Sequence, residues 1–150
     1  MWSKITKEGW QTETEKLLLP VFYNPNFIIS TAHSFKTSVD YYSYTKKGKI
    51  LALAAFYVKG KQIVRPENFS FTALWFSDKL SDVAYLESAE ALIVTLKKSY
   101  LKITIRLNSE INDVRPFVWA NFKVENKYTY IKRNDLDPHY SVLKNLSKIP

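Results

Sequence analysis

The stretch YYSYTKKGKILALAAFYVKGKQIV, residues 41–64, contains three β-rich runs separated by two short lysine-rich turns. Gly48 and Gly60 lie in these turns, where a tight hairpin connection favours a residue that tolerates a positive φ angle. The middle run, residues 50–58, is almost continuously apolar, which is typical of a strand covered on both faces. The stretch therefore predicts a β-meander whose central strand is buried.

Two helices are predicted before the meander. The first covers about residues 11–19 and ends at Pro20, because proline cannot continue a helix. The second begins after the tripeptide NPN, and four apolar residues at helical spacing form its buried face: Ile28, Ala32, Phe35 and Val39.

After the meander the period of the apolar pattern changes. Residues 69–77, FSFTALWFS, read as a strand with aromatic side chains on both faces. A long helix follows from Asp82, which can cap it, to the lysines at 97–98, which complement its C-terminal dipole. Its apolar face is formed by Tyr85, Ala89, Leu92, Ile93 and Leu96.

The remaining pattern is a strand, a short helix and a strand. Ile103, Ile105 and Leu107 alternate with polar residues. Asn112 or Asp113 then opens a short helix that reaches residue 122 and carries a proline in its first turn, and a last strand covers residues 124–131. This order predicts a mixed α+β domain over residues 1–150: a central mixed sheet with an N-terminal β-meander, flanked by helices.

Composition limits the classes of function. The chain has 22 Lys and Arg against 14 Asp and Glu, a net charge of +8, which favours an anionic partner. Alternatively, the excess of lysines serves only to keep the surface of the protein soluble. The basic residues occur in scattered pairs, and no nucleic-acid-binding module is present. Without an apolar run of 18 residues or a leader-like N-terminus, we expect a cytoplasmic protein with no transmembrane segment.

Few residues suit metal or hydrolase chemistry. The chain has no cysteine, which excludes disulfides and thiolate sites, and its two histidines, His33 and His139, have no acidic neighbour at metal-ligand spacing. No Gly-x-Ser-x-Gly elbow frames a nucleophile. We therefore expect no metal site.

Four residues are candidates for ligand binding. Tyr128 and Tyr130 share one strand face and could present hydroxyls to a substrate, or could be half-buried packing residues. Trp75 and Phe76 point to opposite strand faces, so one belongs to the core and Trp75 is the candidate contact. Arg115 could hold a phosphate or carboxylate, or could pair with Asp113 or Glu110 of its own segment.

The stretch DVRPFVWANFKVENKYTYI, residues 113–131, resembles a motif of the GNAT superfamily, named for its N-acetyltransferases. It is most similar to one half of a Fem-type aminoacyltransferase, the family that forms peptidoglycan bridges. In that family an Arg-Pro-Phe helix precedes an aromatic strand. The matching residues here are Arg115, Pro116, Phe117, Phe122, Val124, Tyr128, Thr129 and Tyr130, and Asn121 stands where the pattern often has glycine.

The resemblance implies an acyltransferase-like fold but not a complete catalyst. GNAT enzymes usually hold the CoA pyrophosphate with a Gly-rich loop before the long helix, whereas this chain has no glycine after Gly60. Asp78 and Asp82 would also repel a pyrophosphate. We therefore expect no cofactor, and acyl-CoA, although possible in principle, is disfavoured.

Three functions remain open. The first, implied by the resemblance, is a substrate-binding, non-catalytic half of the Fem type whose ligand is a nucleotide-linked cell-wall precursor. The chain length suits one half, either alone or as part of a longer protein. The second is a non-enzymatic interaction module, such as a homodimer. The third is a small N-acyltransferase with a divergent acyl-CoA site, so if the chain is catalytic it transfers acyl or aminoacyl groups.

Overall fold

The computed structural model describes residues 1–67 and 71–126, and the fold below refers to these ranges. Along the chain they form β1 (Trp2–Ile5), α1 (Lys7–Thr14), a 3-10 turn (Val21–Tyr23), α2 (Pro25–Ser34), β2 (Ser38–Lys46), β3 (Lys49–Lys59), β4 (Gln62–Val64), β5 (Ala73–Phe76), α3 (Asp82–Ser99), β6 (Lys102–Ile103) and α4 (Arg115–Trp119). Within the described ranges this is a six-stranded sheet with four α-helices, which confirms the predicted mixed α+β class.

The sheet has the order β1-β2-β3-β4-β6. Strands β2, β3 and β4 form the predicted antiparallel meander, and Gly48 and Gly60 have the expected positive φ angles of 72° and 59°. Strands β4 and β5 both pair with the same edge of β3. Strand β5 pairs with the first half of β3 and β4 with its end, so β4 and β5 lie one after the other along that edge. Among the strands of the described ranges, the β4–β6 pairing is parallel and the other four pairings are antiparallel.

Strand β3 is buried on both faces, as its apolar run predicted. Ala54 and Phe56 belong to a cluster with the side chains of α3 and α4, whereas Leu53, Ala55 and Tyr57 belong to a cluster with those of α1 and α2. Because successive strand residues alternate between faces, one continuous apolar run supplies both clusters. The domain therefore has three layers, with the sheet in the middle.

Helix α1 lies earlier than predicted. It covers Lys7–Thr14 and is capped by Thr6, whose hydroxyl accepts a hydrogen bond from the Gly9 N–H. Its Trp10 is fully buried and packs on the Tyr41 ring at 5.3 Å between centroids. The prediction of residues 11–19 was wrong because it relied on Pro20 as the end of the helix and overlooked the cap and the buried tryptophan.

Helix α2 begins at Pro25, inside the tripeptide after which it was predicted to start, because Asn24 is its N-cap. Its buried face is shorter than predicted. Ile28 and Ala32 are buried, but Phe35 is the exposed C-cap residue and Val39 already belongs to β2. The helical spacing of these two residues was coincidental, because the chain turns at Lys36, where φ is 51°.

Helix α3 has the predicted extent, and Ala89, Leu92, Ile93 and Leu96 are buried. Its cap is Ser81 rather than Asp82, since the Ser81 hydroxyl accepts from the Ala84 N–H at 3.3 Å. Asp82 instead lies in the first turn, where its charge still complements the helix dipole.

The C-terminal elements are shorter than predicted. Strand pairing of β6 ends at Ile103, although Ile105 and Leu107 pack against the core as their alternation indicated. Helix α4 ends at Trp119 and not at residue 122. Residues 124–126 form no strand, and the rest of the predicted last strand lies outside the described residues.

Strand β1 had no counterpart in the sequence prediction. It pairs with β2 in the register Trp2↔Tyr44. The Trp2 indole N–H donates to Ser88 O at 2.7 Å and so fastens the strand to α3. In the described part of the chain, no helix is long and apolar enough to cross a membrane.

Candidate functional site

A cleft opens where two neighbouring segments of the sheet separate. Residues 102–106 run beside β4 and the start of β5, with Thr72 N donating to Arg106 O at 2.8 Å. Two residues further on, the Tyr23 hydroxyl stands between the segments: it donates to Leu74 O at 2.8 Å and accepts from Asn108 Nδ2 at 3.0 Å. Beyond Tyr23 the segments diverge.

The free edge of β5 forms one wall of this cleft. Ser77 N donates to Leu51 O at 2.8 Å, so the main-chain groups of Ser77 point towards β3. Trp75 lies two residues earlier on the same strand, and its main-chain groups therefore point towards β3 as well. Because antiparallel strands alternate in this respect, the main-chain groups of Phe76 point away from β3. Among the described residues, the Phe76 N–H and C=O have no hydrogen-bond partner.

The cleft has a volume of about 670 Å³. Its lining comes from both helix layers, from β5 with the loop after it, and from the segment after β6. The lining residues are Leu17, Leu18, Leu19, Leu74, Trp75, Phe76, Ser77, Asp78, Leu80, Asp82, Tyr85, Asn108, Glu110, Ile111, Asn112 and Asp113. Its floor is therefore apolar and aromatic, and its rim is polar.

The rim is negatively charged. The lining contains Asp78, Asp82, Glu110 and Asp113 and no Lys, Arg or His among its described members. Asp113 is neutralised by Arg115, whose guanidinium lies 2.7 Å away and holds the pKa of that carboxyl below its usual range. Across residues 1–67 and 71–126, the other three carboxylates make no ion pair.

Two tyrosines in and under the cleft are hydrogen-bond donors. The Tyr85 hydroxyl donates to Asp113 O at 2.6 Å, and burial, helped by the Asp113 charge, raises its pKa to about 12. Burial also raises the pKa of Tyr23 to about 12, with the Asn108 hydrogen bond opposing that shift. Both hydroxyls remain protonated at neutral pH and donate hydrogen bonds to main-chain carbonyls.

The structure separates the predicted site residues. Trp75 lines the cleft, and it does lie on the opposite face from Phe76, as predicted. Arg115 pairs with Asp113, which was the alternative to a ligand role, and its guanidinium also lies 5.8 Å from the Trp119 ring. Tyr128 and Tyr130 lie outside the described residues.

The described part of the Arg-Pro-Phe motif has a packing role. Pro116 and Phe117 are buried, and the Phe117 and Phe122 rings meet edge to face at 5.9 Å. This packing holds α4 against α3, which places Asp113 at the cleft. The motif thus supports one wall of the site without itself entering it.

Sequence reasoning missed much of the cleft. It did not single out Glu110 as a lining residue, nor Tyr23, nor the leucines at 17–19. The leucines were assigned to the predicted helix over residues 11–19, and only the earlier end of α1 at Thr14 places them at the cleft. Tyr23 carried no signal in the sequence.

No metal centre emerges from residues 1–67 and 71–126: no group of three or more His, Cys, Asp or Glu is placed to hold an ion. His33 is exposed on α2 and does not line the cleft.

Comparison with known proteins gave a structural likeness but no family. No protein-family model matches the chain, and no curated protein matches it. Among solved structures, the chain is similar to a ribosomal-protein-alanine N-acetyltransferase from Brucella melitensis biovar Abortus 2308, with 8% identity and a TM-score of 0.44 over 89% of this chain and 97% of that chain. A likeness at this level assigns neither an activity nor a ligand to this chain, and the Fem-type resemblance stays a prediction.

Proposed function

We propose that this chain is a binding domain of acyltransferase-like architecture whose cleft takes a ligand with a positively charged amine and an apolar body. The observation that carries the proposal is the lining of the cleft. Three carboxylates that make no ion pair with the described residues, Asp78, Asp82 and Glu110, surround a floor of leucine, tryptophan and phenylalanine side chains.

The position and size of the cleft favour ligand binding. It lies at the carboxyl ends of two neighbouring segments that run parallel and then separate, which is where open α/β sheets bind their ligands. Its volume of about 670 Å³ falls in the range of roughly 300–1,000 Å³ that is typical of small-molecule pockets. An apolar floor with a few polar groups is also the usual lining of such pockets.

The charge of the cleft selects against anions. A pyrophosphate near the start of α3 would face Asp78 and Asp82, and the first free N–H groups of that helix adjoin the Asp82 carboxylate. The Ala84 N–H is already bound by Ser81. An ammonium group would instead gain from the same carboxylates, because opposite charges attract and an amine donates the hydrogen bonds that carboxylates accept.

This proposal keeps the binding role that the Fem-type resemblance implies and changes the ligand of the cleft. A nucleotide-linked cell-wall precursor is anionic, so it would have to bind to the lysine-bearing surface outside the cleft. The proposal also favours a binding domain over a complete acyl-CoA enzyme, since the diphosphate would have to enter an acidic site.

Calorimetric titration with a matched pair of small molecules tests the proposal. Tryptamine and indole-3-propionate share an aromatic body and carry opposite charges. We expect saturable binding of tryptamine that weakens in high salt, and no binding of indole-3-propionate or acetyl-CoA. Salt-resistant binding of acetyl-CoA without binding of tryptamine would overturn the proposal and favour a divergent acyl-CoA site instead.

Substitutions of the cleft carboxylates test where the amine of tryptamine binds. Asp82→Asn and Glu110→Gln should each weaken tryptamine binding by about two- to fivefold, the effect of removing one exposed ion-pair partner. Glu90→Gln is the matched control, because Glu90 is an exposed carboxylate of α3 that does not line the cleft. Equal effects at Glu90 and Asp82 would mean that tryptamine responds only to the overall charge.

A further inference from the structure

We infer that the physiological occupant of the cleft is an extended peptide segment of another protein, which carries a Lys or Arg side chain and adds as a strand to the free edge of β5. This inference rests on the proposed function, because it names the chemical class of the cationic ligand. It requires three features of the cleft: a free main-chain edge, a gap wide enough for a strand, and a charge that selects a basic side chain.

The free edge provides the first feature. The N–H and C=O of Phe76 point into the cleft and have no partner in the described chain. Strand β5 ends there, because the Leu80 N–H donates to Ser77 O at 3.1 Å and closes a turn directly after it. An unpaired strand edge is a template for an extended peptide, whose own amides supply matching donors and acceptors.

The gap between the two walls is held open by the core. At Thr72 the segments are still joined directly, with 2.8 Å between Thr72 N and Arg106 O. At Leu74 the Tyr23 hydroxyl already separates them, and it is fixed by hydrogen bonds to both sides. Tyr23 is buried, so its ring keeps β5 apart from the segment after β6, and within residues 1–67 and 71–126 no other segment pairs with the edge beyond it.

Alternation of side chains fits the two walls of the cleft. A strand added to β5 would direct successive side chains to opposite faces of the sheet. One face carries the leucines at 17–19 and Trp75, which suit an apolar side chain. The other carries Tyr85 and Asp82, with Glu110 on the facing wall, which suit a Lys or Arg side chain.

The charge distribution favours a peptide over other cationic ligands. A polyamine would satisfy the carboxylates but would leave the Phe76 main-chain groups unpaired. A nucleic acid would bring phosphates to an acidic rim. A basic peptide satisfies both the carboxylates and the strand edge.

The test uses an N-acetylated, fluorescently labelled pentapeptide amide, Thr-Val-Lys-Val-Thr, and its five singly N-methylated forms, with the whole chain in fluorescence anisotropy. An added strand directs every second amide towards β5, so N-methylation at the position that faces Phe76 should weaken binding at least tenfold, and the positions on either side of it should stay within about twofold. The peptide with Glu in place of Lys should bind at least tenfold more weakly.

The outcomes separate the inference from the proposed function. The alternating pattern together with the charge effect supports the inference. Charge-dependent binding without alternation, or binding of tryptamine without binding of the peptide, overturns it and leaves the proposed function standing. Failure of both ligands overturns both. Concentration-dependent self-association that competes with the peptide would identify a second copy of this chain as the occupant and overturn the inference.

Discussion

Replacing Tyr23 by phenylalanine tests whether the base of the cleft is held as described. The substitution keeps the buried ring and removes only the hydroxyl, which donates to Leu74 O at 2.8 Å and accepts from Asn108 Nδ2 at 3.0 Å. Leu74 is fully buried, so its carbonyl would lose a partner in a place that water cannot easily reach.

The expected magnitude follows from these two bonds. A typical hydrogen bond contributes about 0.5–1.5 kcal/mol net, so Tyr23→Phe should lower the free energy of unfolding by about 1–3 kcal/mol. For a domain of this size that corresponds to a decrease in Tm of roughly 2–12 °C. The m-value should not change, because the surface exposed on unfolding is nearly the same.

Urea unfolding at pH 7, followed by tryptophan fluorescence, measures the effect. Tyr44→Phe is the control: the Tyr44 ring packs on Trp2 at 5.7 Å, and its hydroxyl makes no hydrogen bond to the described residues. The control should stay within about 0.5 kcal/mol of the parent protein. If Tyr23→Phe is as stable as Tyr44→Phe, the hydroxyl does not hold the two walls, and the geometry derived for the cleft is wrong.

Three further predictions concern stability. Ser81→Ala should cost about 1 kcal/mol in urea unfolding through loss of the α3 cap, and an unchanged value would restore Asp82 as the cap. Gly60→Ala should cost about 1–2 kcal/mol, because its φ of 59° is unfavourable for alanine; a neutral result would show that this turn rearranges. Burial raises the pKa of Tyr23, Tyr41 and Tyr85 from 10.0 to about 12. The contribution of these protonated hydroxyls to the free energy of unfolding should therefore be complete below pH 10 and decline towards pH 12. Urea midpoints that stay constant from pH 9 to 11 would contradict this.

The sequence predicted correctly those parts of the fold that depend on the pattern of apolar and turn residues within one short stretch. The meander follows from a continuous apolar run and two glycines in turns, and both signals lie within residues 41–64. Strand β1 could not be predicted in this way. Its four residues include only two large apolar side chains, and it becomes a strand because it pairs with residues 41–44 of β2. Such pairing is a tertiary effect, and the β-propensity of the four residues does not predict it.

The cleft depends even more on contacts between distant segments. The Tyr23 hydroxyl meets Leu74, 51 residues away, and Asn108, 85 residues away. Sequence reasoning placed Trp75 on the right strand and recognised the repulsive effect of Asp78 and Asp82 on a pyrophosphate. It could not add Glu110 to these carboxylates, because only the divergence of the two segments brings the loop after β6 to the opposite wall.

The same contrast explains why the net charge of the chain and the charge of the cleft favour different ligands. A charge of +8 predicted an anionic partner, yet a ligand responds mainly to charges within a Debye length, about 8 Å at physiological salt. Within the described cleft those charges are Asp78, Asp82, Glu110 and the neutralised Asp113. Exposed lysines that do not line the cleft, such as Lys46, Lys47, Lys59 and Lys61, form the lysine surface, and under the proposal above this surface and the acidic cleft favour opposite partners. Because salt screens both, only neutralisation of the cleft carboxylates can separate the two: Asp82→Asn should weaken amine binding and leave the binding of anions to the lysine surface intact.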